Sequence, residues 1–204
     1  MVQLTREDRA RVAAAIAKAE SQTSGEIVCV FARQASDYRA IPVLWAAVLA
    51  FALPWPLLRL TSLDAATIHL VQLATFIVLA VLLSLLPARM ALVPRFIRRN
   101  RARRAARDQF VTQELYRTAN RTGCLIYVAN AEHYAEVLAD KGIADHVDPA
   151  VWRSAIEALT DGLTAGRAAD GLVEAVEICG GVLATHCPPA SVDRNELPDR
   201  LIVL

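Results

Sequence analysis

Hydrophobic and polar positions follow three different patterns along this chain, and each predicts a different kind of element. In the first, Val12, Ile16 and Ala19 recur at helical spacing, which places them on one apolar face. Thr5 stands before them as an N-cap, with Asp8 three residues on in a variant of the capping box. The second pattern is a short continuous apolar run. Glu26 to Phe31 and Cys124 to Ala129 both read this way, and such runs suit strands covered on both faces. The third is a long apolar run. Ile41 to Leu58 and Ala65 to Ala88 carry no charged residue, and a helix needs about 20 predominantly apolar residues to cross a bilayer. These two runs predict a transmembrane hairpin with spans at about 41–60 and 68–88. Pro42, Pro54, Pro56 and Arg59 make the first span the weaker one, although neighbouring helices can re-satisfy backbone groups that a proline frees.

The remaining elements follow from punctuation. Pro94 stops the second span. A helix is predicted from about Arg98 to Ala119, with Val111, Leu115 and Ala119 on one face and Ala106 and Phe110 beside them. A weaker strand is expected over Ala135–Ala139, followed by a turn at Lys141-Gly142. Asp148-Pro149 reads as an N-cap and first helical residue, opening a helix with Trp152, Ile156 and Leu159. A last helix carries Leu172, Val176, Cys179 and Leu183. Gly180-Gly181 within it would admit a close backbone neighbour, while Gly162, Gly166 and Gly171 read as turn and cap residues. Leu201 to Leu204 either packs as a tail or adds as a strand to a sheet edge, its own or a partner's.

An N-terminal helix and strand of this size do not fold alone. The first strand needs a sheet, and the Cys124 run is the nearest candidate. The expected organisation is therefore one α/β domain in two parts, residues 1–38 and 94–188, interrupted by a hairpin over 39–93 and followed by a tail over 189–204.

Charge orients the hairpin. The formal net charge is only +1 over 204 residues. Yet Arg89, Arg95, Arg98, Arg99, Arg101, Arg103, Arg104 and Arg107 all precede the next acid, Asp108. Basic residues beside a span favour the cytoplasmic side, and two spans return the chain to the side it left. The expectation is a multi-pass protein of the cell inner membrane with both soluble ends cytoplasmic. The hairpin meets the lipid bilayer, and Arg98 to Arg107 lie near anionic lipid head groups. No aromatic or glycine-rich motif accompanies the arginines, so no nucleic-acid partner is expected. The polar N-terminus predicts no signal peptide. Cys29, Cys124, Cys179 and Cys187 form no CxxC pair. Cys29 and Cys124 read as small buried hydrophobes.

The candidate chemistry is sparse. Carboxylates gather in sequence at Asp140, Asp145 and Asp148, with His146 among them and Glu132 and His133 upstream. Loop carboxylates suit a hard divalent cation such as calcium or magnesium, and such an ion could polarise a phosphate and activate water. Asp148 is equally explained as an N-cap and Asp140 as a turn residue. Ser154 lacks a GxSxG setting. His186 and Cys187 are adjacent, whereas catalytic pairs usually meet across a fold. No GxxxxGK[ST] loop occurs. His69 and Gln72 lie near a span end, where interface anchoring explains them.

Several short segments resemble the TPM domain family. They are Ser24-Gly25-Glu26-Ile27-Val28, then Phe110 leading to Thr122-Gly123-Cys124-Leu125-Ile126-Tyr127-Val128, then Asp140-Lys141-Gly142-Ile143, Trp152, Gly171-Leu172 and His186-Cys187-Pro188. The resemblance covers roughly residues 8–31 and 105–188. That family includes thylakoid-lumen photosystem-repair proteins, a nicotinic-receptor modulator and many bacterial membrane proteins, and phosphatase activity is ascribed to it. The resemblance implies an α/β fold, a three-layer α/β/α sandwich with a small mixed sheet, here interrupted by the two-helix transmembrane hairpin. The better-known members usually carry a signal peptide and an extracytoplasmic domain; this chain instead inserts its apolar runs after the first strand. Two functions follow as expectations. One is a non-catalytic accessory, assembly or modulator module acting on a membrane-protein partner. The other, implied by the resemblance, is a divalent-metal-dependent phosphatase.

Overall fold

The computed structural model describes residues 4–85, 87–118, 120–189 and 200–204. Leu86 at the end of the second apolar run, Ala119 of the expected central helix and residues 190–199 of the tail lie outside the described residues. The chain divides into two compact units, residues 1–36 with 99–204, and residues 37–98.

The first unit is built on a four-stranded mixed sheet. Its strands are β1 (Glu26–Ala32), β2 (Gly123–Ala129), β3 (Tyr134–Ala139) and β4 (Leu201–Val203), in the order β3-β2-β1-β4. β1 and β2 run parallel, with Glu26 opposite Gly123 and Ala32 opposite Ala129. β3 returns antiparallel to β2, so Ala139 faces Cys124 and Tyr134 faces Ala129. β4 adds parallel to β1, with Cys29 opposite Leu201. Leu201 to Val203 therefore completes the chain's own sheet.

Every residue of β1 and β2 is buried, and side chains alternate between the sheet's two faces. Ile27, Cys29, Phe31, Cys124, Ile126 and Val128 belong to one apolar cluster. Into it pack Val12 and Ile16 of α1 (Arg6–Glu20), Ala155 and Leu159 of the helix Pro149–Thr164, and Leu172, Val176, Cys179 and Leu183 of the helix Ala168–His186. Val28, Val30, Leu125, Tyr127 and Ala129 form a second cluster with Ala102, Ala106 and Leu115. The capping box at the start of α1 is present, with Thr5 and Asp8 satisfying each other's backbone donors.

The second unit holds α2 (Ala40–Ala52), α3 (Pro54–Leu60) and α4 (Ala65–Leu85). The stretches Ala40–Leu60 and Ala65–Leu85 are long and apolar enough to cross a membrane. Pro54 has no N–H for the Ala50 carbonyl; the Leu53 N–H donates there instead, at 3.3 Å. The turn is shorter than the pattern suggested. Asp64 accepts from the Thr67 N–H at 3.2 Å and from its hydroxyl, so α4 begins at Ala65 rather than near residue 68. Within this unit, Tyr38, Ile41 and Val93 form a small buried cluster, and Trp45 Nε1 donates to the Leu92 carbonyl at 3.1 Å.

α5 (Arg95–Thr112) starts earlier and ends sooner than expected. It buries Ala102 and Ala106, while Val111 is 59% exposed. Glu114 takes a left-handed conformation (φ 55°), and a 3₁₀ turn over Leu115–Arg117 brings Leu115 into the core on a different path. A single helical face through Val111 and Leu115 therefore does not exist. α6 (Lys141–Ala144), α7 (Pro149–Thr164) and α8 (Ala168–His186) complete the unit. Gly162 and Gly171 are not turn residues but lie within α7 and α8. A Cβ on Gly162 would lie 2.8 Å from the Gly171 Cα, so the pair lets α7 and α8 touch backbone to backbone. Gly166, with φ of 72°, follows the C-cap Ala165 and takes the left-handed turn out of α7. Gly180 serves close approach as expected, since a Cβ on it would lie 2.6 Å from Ala19 Cβ, whereas Gly181 has open space.

Candidate functional site at the two ends of the sheet

The β2–β3 reversal separates the residues that looked like one cluster. Asn130 to His133 form the turn at the carboxyl ends of β1 and β2. Asp140 follows β3 and so returns to the amino ends. A strand of this length is about 20 Å long, so Glu132 and His133 stand roughly that far from Asp140.

At the amino end, each carboxylate has its own structural task. Asp140 is buried and caps α6, accepting from the Lys141 N–H at 2.7 Å. Its other oxygen meets Arg121 Nε at 3.3 Å. A Cβ on Gly142 would lie only 2.4 Å from the Asn120 carbonyl oxygen, so the α6 backbone presses directly on the segment before β2. Asp148 is exposed and caps α7 through the Ala150 N–H at 2.8 Å. Asp145 is exposed and ends α6, and His146 is exposed beside it. Among the described residues no three His, Cys, Asp or Glu side chains converge to hold a metal ion. A calcium or magnesium ion needs several oxygen donors around one point, and Asp140, Asp145 and Asp148 do not supply that geometry.

The carboxyl end is where ligands usually bind on sheets with parallel strands. Here the Asn130 N–H donates to the Ala32 carbonyl at 3.0 Å and the Ala131 N–H to the Arg33 carbonyl at 3.1 Å. His133 adopts φ of 51°, which swings the chain sharply into β3. Glu132 is consequently turned inward and is only 6% exposed. Its Oε1 accepts from the Ala35 N–H at 3.0 Å, and its Oε2 is buried with no hydrogen-bond partner among the described residues. Arg101 Nη1 donates to the Ser36 hydroxyl at 3.1 Å nearby. Burial, and then the Glu132 charge, push the Tyr127 hydroxyl up to about 12. Tyr134 donates to Glu136 at 2.8 Å, and burial followed by that bond holds its proton on well above the usual tyrosine range. Glu132 and Asp140 are close in sequence, but β3 runs antiparallel to β2 and sets them at opposite ends of the sheet.

The other candidates are structural. Ser154 donates to its own helix at the Ala150 carbonyl, 3.1 Å away. The Cys187 carbonyl accepts from the Thr23 hydroxyl at 2.6 Å and the Ser24 N–H at 3.0 Å, tying the end of α8 to the start of β1. Burial raises the Cys187 thiol. Cys29, Cys124 and Cys179 are fully buried. Desolvation raises the Cys29 thiol, and a hydrogen bond to Cys124, then desolvation, raises that of Cys179. A cavity of about 340 Å³ between α7 and α8 is lined by Glu157, Asp161, Asp170 and Glu174 with Arg167. A second, of about 390 Å³ and almost wholly apolar, lies between α2 and α4 beside His69 and Gln72.

No protein-family model matches this chain, and no curated protein sequence matches it. One solved structure is similar: the NMR structure of the BA42 protein from the psychrophilic bacterium Bizionia argentinensis. The likeness has a TM-score of 0.62 at 22% identity, and spans 98% of this chain and 95% of that one. At that identity the similarity establishes fold alone.

Proposed function

We propose that this protein is a membrane-anchored TPM-like module that acts without a catalytic centre of its own, as an accessory, assembly or modulator protein on a membrane-protein partner. In this reading the α/β unit is a three-layer α/β/α sandwich. α2 to α4 form a two-helix transmembrane hairpin, and the arginines that follow hold both soluble ends in the cytoplasm. One observation carries the proposal. Of the two apolar stretches, only 22% of the first and 6% of the second is buried within the chain. Phe51, Trp55, Leu58, Leu70 and Val78 are each more than 60% exposed. An apolar surface of this extent needs lipid or another protein to cover it.

The reading is tested in two steps. Alkaline carbonate extraction of cell membranes should leave the chain in the pellet, and release into the supernatant would sink the anchor. The detergent-purified chain is then offered a generic phosphomonoester with calcium, magnesium or manganese. Turnover above a heat-killed control that disappears in Glu132→Gln or Asp140→Asn would replace the accessory reading with the metal-dependent phosphatase. The absence of turnover in all three metals is the expected result.

A further inference from the structure

Arg101 of α5 ties the helix to Ser36, but the arginines on its outer face are not spent on holding the fold together. Ala102 and Ala106 are the residues this helix buries against the sheet. Arg99, Arg103 and Arg107 recur every four residues and are exposed, with Arg104 exposed alongside them. At 1.5 Å rise per residue the row advances by about 6 Å per arginine. Arg99, Arg104 and Arg107 form no ion pair with any described residue. Arg103 has one loose partner, Glu136 Oε1 at 3.7 Å, and that carboxylate also accepts from Tyr134. Planar, permanently charged guanidinium groups in a row, largely unpaired, form a site for phosphate oxygens.

We infer that the Arg99–Arg103–Arg107 row, with Arg104, is a docking surface for the head groups of anionic phospholipids. The inference rests on the membrane-anchored reading and extends it from anchoring to lipid selection. Two features favour lipid over another polyanion. Only a short stretch of chain separates Arg99 from Leu85, the last residue of the second apolar helix. That tether keeps the head groups of the surrounding leaflet at high effective concentration around the helix. The exposed face also carries Val111, a residue that suits the acyl boundary better than a nucleic-acid groove. Glu136 acts as an internal competitor, holding Arg103 when no lipid phosphate is present.

The test uses the full chain, reconstituted in nanodiscs of phosphatidylcholine with a minority of phosphatidylglycerol. Lipid retained after detergent extraction is then counted by native mass spectrometry. The wild-type chain should keep phosphatidylglycerol preferentially, and less so as salt rises. A basic residue near a charged membrane surface contributes about fivefold in affinity. The combined Arg99→Gln, Arg103→Gln and Arg107→Gln variant should therefore lose the preference by something on the order of a hundredfold. Glu136→Gln, which leaves every arginine in place and frees Arg103, should instead raise the preference by about twofold, a fraction of one such contact. Equal selectivity in wild type and triple variant would overturn the inference. So would a wild-type chain that binds duplex DNA in detergent but shows no lipid preference in nanodiscs. A chain that never enters the nanodiscs would fail the anchored reading itself, which distinguishes the two failures.

Discussion

The sheet and the paired apolar helices are made from the same residue types and treat them in opposite ways. Ile126 in β2 is fully buried, whereas Val78 in α4 is 62% exposed. In the first unit, apolar side chains meet one another across both faces of the sheet. In the second, most point away from the chain. A protein folding in water cannot leave that much apolar surface open without association. The contrast is what the proposed membrane-anchored reading rests on, with one unit built for water and the other for lipid. Burial by the chain stabilises the first, and in that reading burial by lipid stabilises the second.

The contrast breaks first in the sheet. Ile126→Ala should destabilise the first unit by about 2–5 kcal/mol, because it removes transfer energy and leaves a cavity. Val78→Ala should move the melting temperature of the detergent-solubilised chain very little, and an equal loss from both would dissolve the distinction. The membrane side is probed by Val78→Arg. At the centre of a span this costs about 2.5–3.5 kcal/mol in membrane insertion, read as lost integration in a translocon assay. On a water-facing helix it would be nearly silent.

Smaller effects sharpen the picture within the first unit. Gly180→Val should cost about 1–3 kcal/mol by overpacking, since its Cβ would lie 2.6 Å from that of Ala19. Gly181→Ala, one residue on and facing open space, should be neutral or stabilise slightly, by up to about 1 kcal/mol. Thermal melts of the two variants compare neighbours that sequence alone treats alike. The smallest effect is in alkali. The Tyr127 proton is held in the fold up to about 12, against about 10 in the unfolded chain. Its contribution is therefore complete below about pH 10 and is lost as pH rises from there toward 12. Tyr127→Phe should flatten the fall in stability across that window.

Much of the local structure was legible in the residues. Thr5 and Asp8 announced the start of α1, and Asp148-Pro149 that of α7, because capping is a matter of a few adjacent groups. The two continuous apolar runs announced buried strands. Helix ends set by tertiary contact were less legible. α5 stops at Thr112 because Glu114 turns left-handed and Leu115 is drawn under the sheet, and no nearby glycine or proline signals it. The glycines at 162 and 171 looked like turn residues because a helix–helix contact leaves no trace in either helix's own sequence.

The candidate site shows the same limit most plainly. Sequence by itself determined that two helices could cross a membrane, that the arginines follow the second of them, and that acids gather between residues 132 and 148. Those are properties of composition and spacing along one dimension. Only the tertiary structure decided which of those acids can meet. β3 runs back along β2 and carries Asp140 to the far end of the sheet from Glu132. Asp140 and Asp148 are then taken up by helix ends, and Glu132 is left alone among these acids with a buried, unpartnered oxygen. A strand that reverses direction turns neighbours in sequence into residues about 20 Å apart, and nothing short of the pairing of the strands reveals it.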